Sequence, residues 1–171
     1  MQKRKFPSIN ISSQNCLSLN ISTKNNKTDL KILALTKHNH EIVLLCDIRL
    51  NSLKQSAAIH DLEKKFKLKG YDFIHNSKGS SRGVGFLIKS CKSYVVHNKC
   101  LDFHDNYMLL DISMDNYRFV VGSVYGPNRD ELEFFDNLKL DLRNLNTNSN
   151  PVVLGGGLEC HLGLQSRSYQ H

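Results

Sequence analysis

The order of apolar segments predicts an α/β protein, a mixed sheet with helices on its outside. Three observations carry this: two strand-like runs each followed by a helical pattern, then five strand-like runs in succession, then a helix leading into a last apolar run. At 171 residues the chain suits one domain, and 40% hydrophobic residues supply a sizeable core.

Each element has its own signal. "SINISSQN" alternates apolar and polar residues and reads as the first strand, while Leu30, Leu33, Ala34 and Lys37 follow at helical spacing after Thr28 as cap. "EIVLLCD" is a continuous apolar run, the pattern of a strand covered on both faces. Ser52 is the expected N-cap of the next helix, "LKQSAAIHDLEKKFKL", whose Lys64, Lys65, Lys67 and Lys69 form a wet face. "YDFIHN", "VGFLIK", "SYVVH", "YMLLDISM" and "YRFVVGSVY" leave no room for helices and are expected to pair antiparallel. Asp115-Asn116 is the expected tight turn between the last two, both residues tolerating left-handed backbone. "RDELEFFDNLKLDLRNLN" predicts a helix with Leu132, Phe135, Leu138 and Leu142 on one side, and it runs into "PVVLGG". Short Asn/Ser/Lys stretches such as "STKNNK" and "NLNTNSN" read as connectors.

Composition bounds the function. A formal net charge of +7 favours a polyanionic partner over a basic one. Five cysteines without a C-x-x-C pair argue against a disulfide framework and a zinc cluster and suit a reducing compartment. No stretch has the pattern of a signal peptide or of a membrane span, so the expected location is intracellular, nuclear or cytoplasmic, not secreted and without a membrane partner. The sequons at Asn10, Asn20 and Asn26 are then chance matches, and the "HNH" at residues 38 to 40 lacks metal-ligand spacing.

Open α/β sheets place ligand groups just beyond the C-terminal ends of their strands. Here those positions hold Asn15, Asp47, Tyr125 with Asn128, and whatever follows Val153. Mg²⁺ takes oxygen ligands, commonly one or two carboxylates with phosphate oxygens, and Asp47 is such a carboxylate. Each position also has a plain structural reading: Asp47 as a turn carboxylate before a helix, Asn15 as a turn cap, Tyr125 as a strand-end aromatic, Arg82 as a solvated loop arginine.

"SSQNCLSLN", "IVLLCDIRLN", "NSKGSSRGVGFLIK", "VVGSVYGPN" and "PVVLGGGLEC", in that order, resemble the N-terminal part of the endonuclease/exonuclease/phosphatase superfamily. More narrowly, they are similar to the apurinic-type endonuclease domain of LINE (non-LTR) retrotransposons. The resemblance spans residues 8–161 and leaves 162–171 unmatched. It implies a layered α/β sandwich of the DNase I-like type, C-terminally truncated, and in intact relatives a DNA endonuclease using Mg²⁺ or Mn²⁺. It makes Asn15 an orienting residue, Asp47 the metal ligand where the family has Glu, Tyr125 a phosphate-facing group and Asn128 a contact to DNA; Arg82 is a further candidate contact to DNA phosphates, a role arginine often takes.

The same resemblance exposes departures. Gly157 stands at the Asp of the family's "GDxN" motif and Glu159 at its Asn, so the group that readies the attacking water is missing. The family's later metal-linked Asp and closing Asp-His pair have no counterpart. The expectation is a decayed endonuclease with little turnover; the alternative is a non-catalytic nucleic-acid-binding or interaction module on the same scaffold. A third reading, an active phosphoesterase of small substrates, requires a base that the sequence does not identify.

Overall fold

A computed structural model describes residues 8–19, 27–51, 54–79, 81–127, 131–146 and 149–157. Its elements run β1 (Ile11–Asn15), α1 (Lys27–Thr36), β2 (Ile42–Cys46), α2 (Ser56–Leu68), β3 (Tyr71–Asn76), β4 (Val84–Lys89), β5 (Tyr94–Leu101), β6 (Tyr107–Met114), β7 (Tyr117–Tyr125), α3 (Leu132–Leu145) and β8 (Val152–Gly157). The expected order of strands and helices is therefore observed. Ser52, however, lies outside the described residues, and α2 begins at Ser56 with Gln55 before it.

The strands form two sheets, β1-β2-β4-β3 and β5-β6-β7-β8. The five central strands do not make one antiparallel run. β4 is already paired on both edges, with β2 and β3, so the chain crosses to a second layer at β5 and starts a new sheet. The pairs β1–β2 and β7–β8 are parallel, each needing a helical crossover, which α1 and α3 provide.

Strand alternation sorts the side chains into three cores. Ile42, Leu44 and Cys46 of β2 face inward with Phe86 and Ile88 of β4, against Met108, Leu110, Ile112 and Val121 of the other sheet. Val43 and Leu45 face outward, beneath Ile32 of α1 and Leu62 and Phe66 of α2. Leu109, Val120 and Val124 lie beneath Phe134, Leu138 and Leu145 of α3. The result is a helix–sheet–sheet–helix sandwich.

Two helical faces differ from expectation. In α1 the buried residues are Thr28 and Ile32, while Leu30 and Leu33 are exposed; Thr28 is within the helix rather than capping it. In α3 Leu132 and Phe135 are exposed, and Phe134, Leu138 and Leu145 make the contact. The Asp115-Asn116 turn is as expected, with φ of 50° and 68°.

One buried polar contact links the sheets. The Ser123 hydroxyl, fully buried in β7, donates to the Leu45 carbonyl of β2 at 2.6 Å. This fixes the end of β7 against the end of β2, where the site lies.

Candidate functional site

Parallel pairing makes β1 and β2 end together, Asn15 opposite Cys46, and β7 and β8 end together, Tyr125 opposite Gly157. The two ends meet across the sandwich: a Cβ placed on Gly157 would lie 3.6 Å from Cys46 Sγ and 3.5 Å from Tyr125 Cδ2. Asp47 follows Cys46 directly. Asn15, Asp47, Tyr125 and Gly157 thus share one edge of the molecule. Asn128 and Glu159 lie outside the described residues.

Asp47 is 2% exposed, and both of its carboxylate oxygens are occupied. Arg49 donates from Nε to Oδ1 at 2.6 Å and from Nη2 to Oδ2 at 2.9 Å, a bidentate fork. The residues manage this two positions apart because both are left-handed, φ 57° at Asp47 and 51° at Arg49, which folds the chain back on itself. Non-glycine residues in that region carry strain of order 1 kcal/mol or more, and such strain gathers at functional sites. The hydrogen bonds to the Asp47 carboxylate raise Arg49 above its ordinary value.

Arg82 is placed by a parallel device. It too is left-handed, φ 66°, and is followed by Gly83 at 101°, where a Cβ would strike the Ser77 and Ile48 side chains. Its Nη1 donates to Oδ1 of the buried Asn106. Asn106 in turn accepts from the Tyr125 N–H at 2.6 Å through its carbonyl. The Arg49 N–H donates to the Arg82 carbonyl at 2.7 Å, so the two arginines hang from adjacent backbones.

Asn15 is drawn into its own turn: its Oδ1 accepts from the Leu17 N–H at 3.0 Å. That is the capping arrangement Asn favours. The thiols beside the site are neutral. Burial pushes Cys16 up to about 12, with Cys46 adding to the effect, and burial raises Cys46 as well, so neither suits a nucleophile.

These residues do not fit a divalent cation. Asp47's oxygens are taken by a guanidinium, Gly157 offers none, and Asn15 spends its carbonyl locally. Among the described residues no group of three His, Cys, Asp or Glu side chains could hold a metal. Sequence reasoning missed Arg49 and Asn106. The Asp-x-Arg spacing is visible in "CDIRL", but the fold-back that makes the pair bidentate has no glycine to announce it.

No protein-family profile and no curated protein matches the chain. Solved structures do. A humanized D. rerio TDP2 superposes with a TM-score of 0.57 at 15% identity, over 86% of this chain and 61% of that one. An AP endonuclease from Archaeoglobus fulgidus gives 0.52 at 14%, over 87% and 56%. A 3′ phosphatase, NExo from Neisseria bound to a product DNA hairpin, gives 0.54 at 15%, over 87% and 57%. These neighbours belong to the endonuclease/exonuclease/phosphatase superfamily, and the chain spans about three fifths of their length. Two packed mixed sheets with helices outside, superposing on such structures, give this chain the layered DNase I-like α/β fold.

Proposed function

We propose that this chain is a relative of the retrotransposon endonucleases that binds DNA without cutting it. The observation that supports this most is the saturation of Asp47 by Arg49. In-line phosphodiester hydrolysis needs charge stabilisation at the phosphate and a group that readies water. Here the carboxylate that would anchor a cation is already neutralised, and the position for the base is the hydrogen of Gly157. Losing a positioned general base alone costs about 10²–10⁴-fold in rate.

Binding is a separate matter. The core between the two sheets is buried, the net charge is +7, and Arg49 and Arg82 stand at the strand ends where a phosphate would approach. The same fold holds a product DNA hairpin in the Neisseria structure. The retrotransposon lineage rests on the order of the sequence motifs.

Purified chain incubated with supercoiled plasmid and Mg²⁺ or Mn²⁺ tests the reading. The expected result is DNA retention that weakens as salt rises, with the plasmid left supercoiled. Metal-dependent nicking that Asp47→Ala abolishes would overturn it.

A further inference from the structure

The misfit between this edge and a divalent cation has a positive counterpart. Arg49 and Arg82 sit on neighbouring backbones, each left-handed, each gripped by a buried acceptor: Asp47 for the first, Asn106 for the second. The Tyr125 N–H donates to the Asn106 backbone carbonyl, which ties the Arg82 side of the edge to the end of β7. A guanidinium has five N–H donors in a rigid fork. Arg49 spends two on Asp47 while 45% of its side chain stays exposed, and Arg82 is half-buried.

Held guanidiniums differ from surface lysines. Their side-chain entropy is already lost in the folded protein, so a phosphate meets a preorganised donor set at little further ordering cost. Arg82 keeps its full charge because Asn106 is neutral. Arg49 is paired, and it contributes directed donors more than net charge. Given the DNA-binding reading above, on which this rests, we infer that Arg49 and Arg82 form a clamp for DNA backbone phosphates that works without a divalent cation, the Arg49 guanidinium standing where a cation would otherwise meet Asp47.

The test is fluorescence anisotropy of a labelled DNA hairpin across a salt series, in EDTA and in Mg²⁺. Affinity should be equal in the two buffers. Arg82→Gln leaves behind only the neutral Asn106 and should fold normally. Arg49→Gln strands the buried Asp47 carboxylate, so it is made together with Asp47→Asn, and thermal melts confirm both proteins fold. Arg82→Gln should flatten the slope of log affinity against log salt by about one phosphate contact, while the Asp47/Arg49 double variant, whose net charge is unchanged, should lower affinity with little change of slope. Lys64→Gln, on the wet face of α2, should leave the slope unchanged. Binding that vanishes in EDTA, a folded Arg82 variant with the wild-type slope, or a folded Asp47/Arg49 double variant with wild-type affinity, would overturn the clamp while leaving DNA binding intact. Absence of any salt-sensitive binding by the wild type would overturn the DNA-binding reading and the clamp with it.

Discussion

Gly156 and Gly157 are neighbours at the end of β8, and the backbone treats them oppositely. Gly156 has φ 149°, and a Cβ there would lie 1.7 Å from the Val124 carbonyl oxygen, an overlap only backbone movement could relieve. At Gly157 the nearest atoms would be at ordinary contact distance, 3.5 and 3.6 Å. Gly156→Ala should therefore cost about 3 kcal/mol or more, and Gly157→Ala should lie within about 0.5 kcal/mol of wild type or slightly above it, read as urea midpoints. Similar midpoints for the two variants would refute this. A second residue-scale device is Asp111, 4% exposed, bridged by Arg118 from Nε at 3.0 Å and Nη2 at 2.6 Å. The Arg118 hydrogen bonds hold its carboxyl below the ordinary value of 3.8. A depressed folded value means this stabilisation is fully present above the unfolded value, about 3.9, and is lost as pH falls through the lower folded one. Arg118→Gln should therefore lose stability at neutral pH and converge with wild type as pH falls through that folded value; a deficit that does not shrink at acid pH would show that Asp111 draws nothing from the pair. Asp47 and Gly157 could be placed from sequence because apolar strands stop just before or at them. The Arg49 partnership could not, since it depends on two left-handed residues that look like any others.

At the scale of elements, α3 shows why strands were easier to delimit than helical faces. β3, β4, β6 and β7 begin and end where their apolar runs do, because a strand buried on the sheet announces itself by continuous apolar content. α3 carries apolar residues at 132, 134, 135, 138, 140, 142 and 145, enough for two overlapping stripes. Its own sequence does not choose between them; the sheet does. The Tyr107 hydroxyl donates to Asp141 at 2.6 Å, and its ring meets Phe134 edge-on at 5.9 Å. Only the rotation that turns Asp141 toward Tyr107 allows both, and it leaves Leu132 80% exposed. Leu138→Ala should then cost about 2–4 kcal/mol and Leu132→Ala less than about 0.5 kcal/mol in chemical denaturation. Equal losses would mean the helix sits on its other stripe. The same logic explains α1, where Ile32 rather than Leu30 and Leu33 reaches the core. The split into two sheets was equally hidden in the run of five strands, because strand content does not say which edges are still free when the next strand arrives.

For the whole molecule, the edges of the two sheets decide how the chain behaves in solution. An exposed strand edge offers unpaired N–H and C=O groups to another chain, and proteins guard such edges with charge, bulges or proline. β5 is guarded: it carries Lys99 and a register shift between Val96 and Asn98. β1 is short and ends in polar Ser-Ser-Gln-Asn. β3 carries Asp72, bonded to Lys67 and Tyr94. β8 differs from all three. It reads Val-Val-Leu-Gly-Gly-Gly, has no charge, is paired only with β7 among the described residues, and leaves Val152, Val153 and Leu154 at 44%, 37% and 42% exposure. Over Val152–Leu154 both faces are accessible, since alternate residues point opposite ways and all three are exposed, whereas at Gly155 the strand comes up against Leu44 and Ser13 of the other sheet. An apolar, uncharged edge of this kind is the feature that drives strand-to-strand association. Light scattering of the purified chain should show mass rising with concentration, despite the repulsion expected from a net charge of +7. Val152→Lys puts a charge on the most exposed of the three while its aliphatic stem still covers the sheet, so the fold should survive and the association should weaken. If the variant associates as the wild type does, β8 is not the surface through which copies meet.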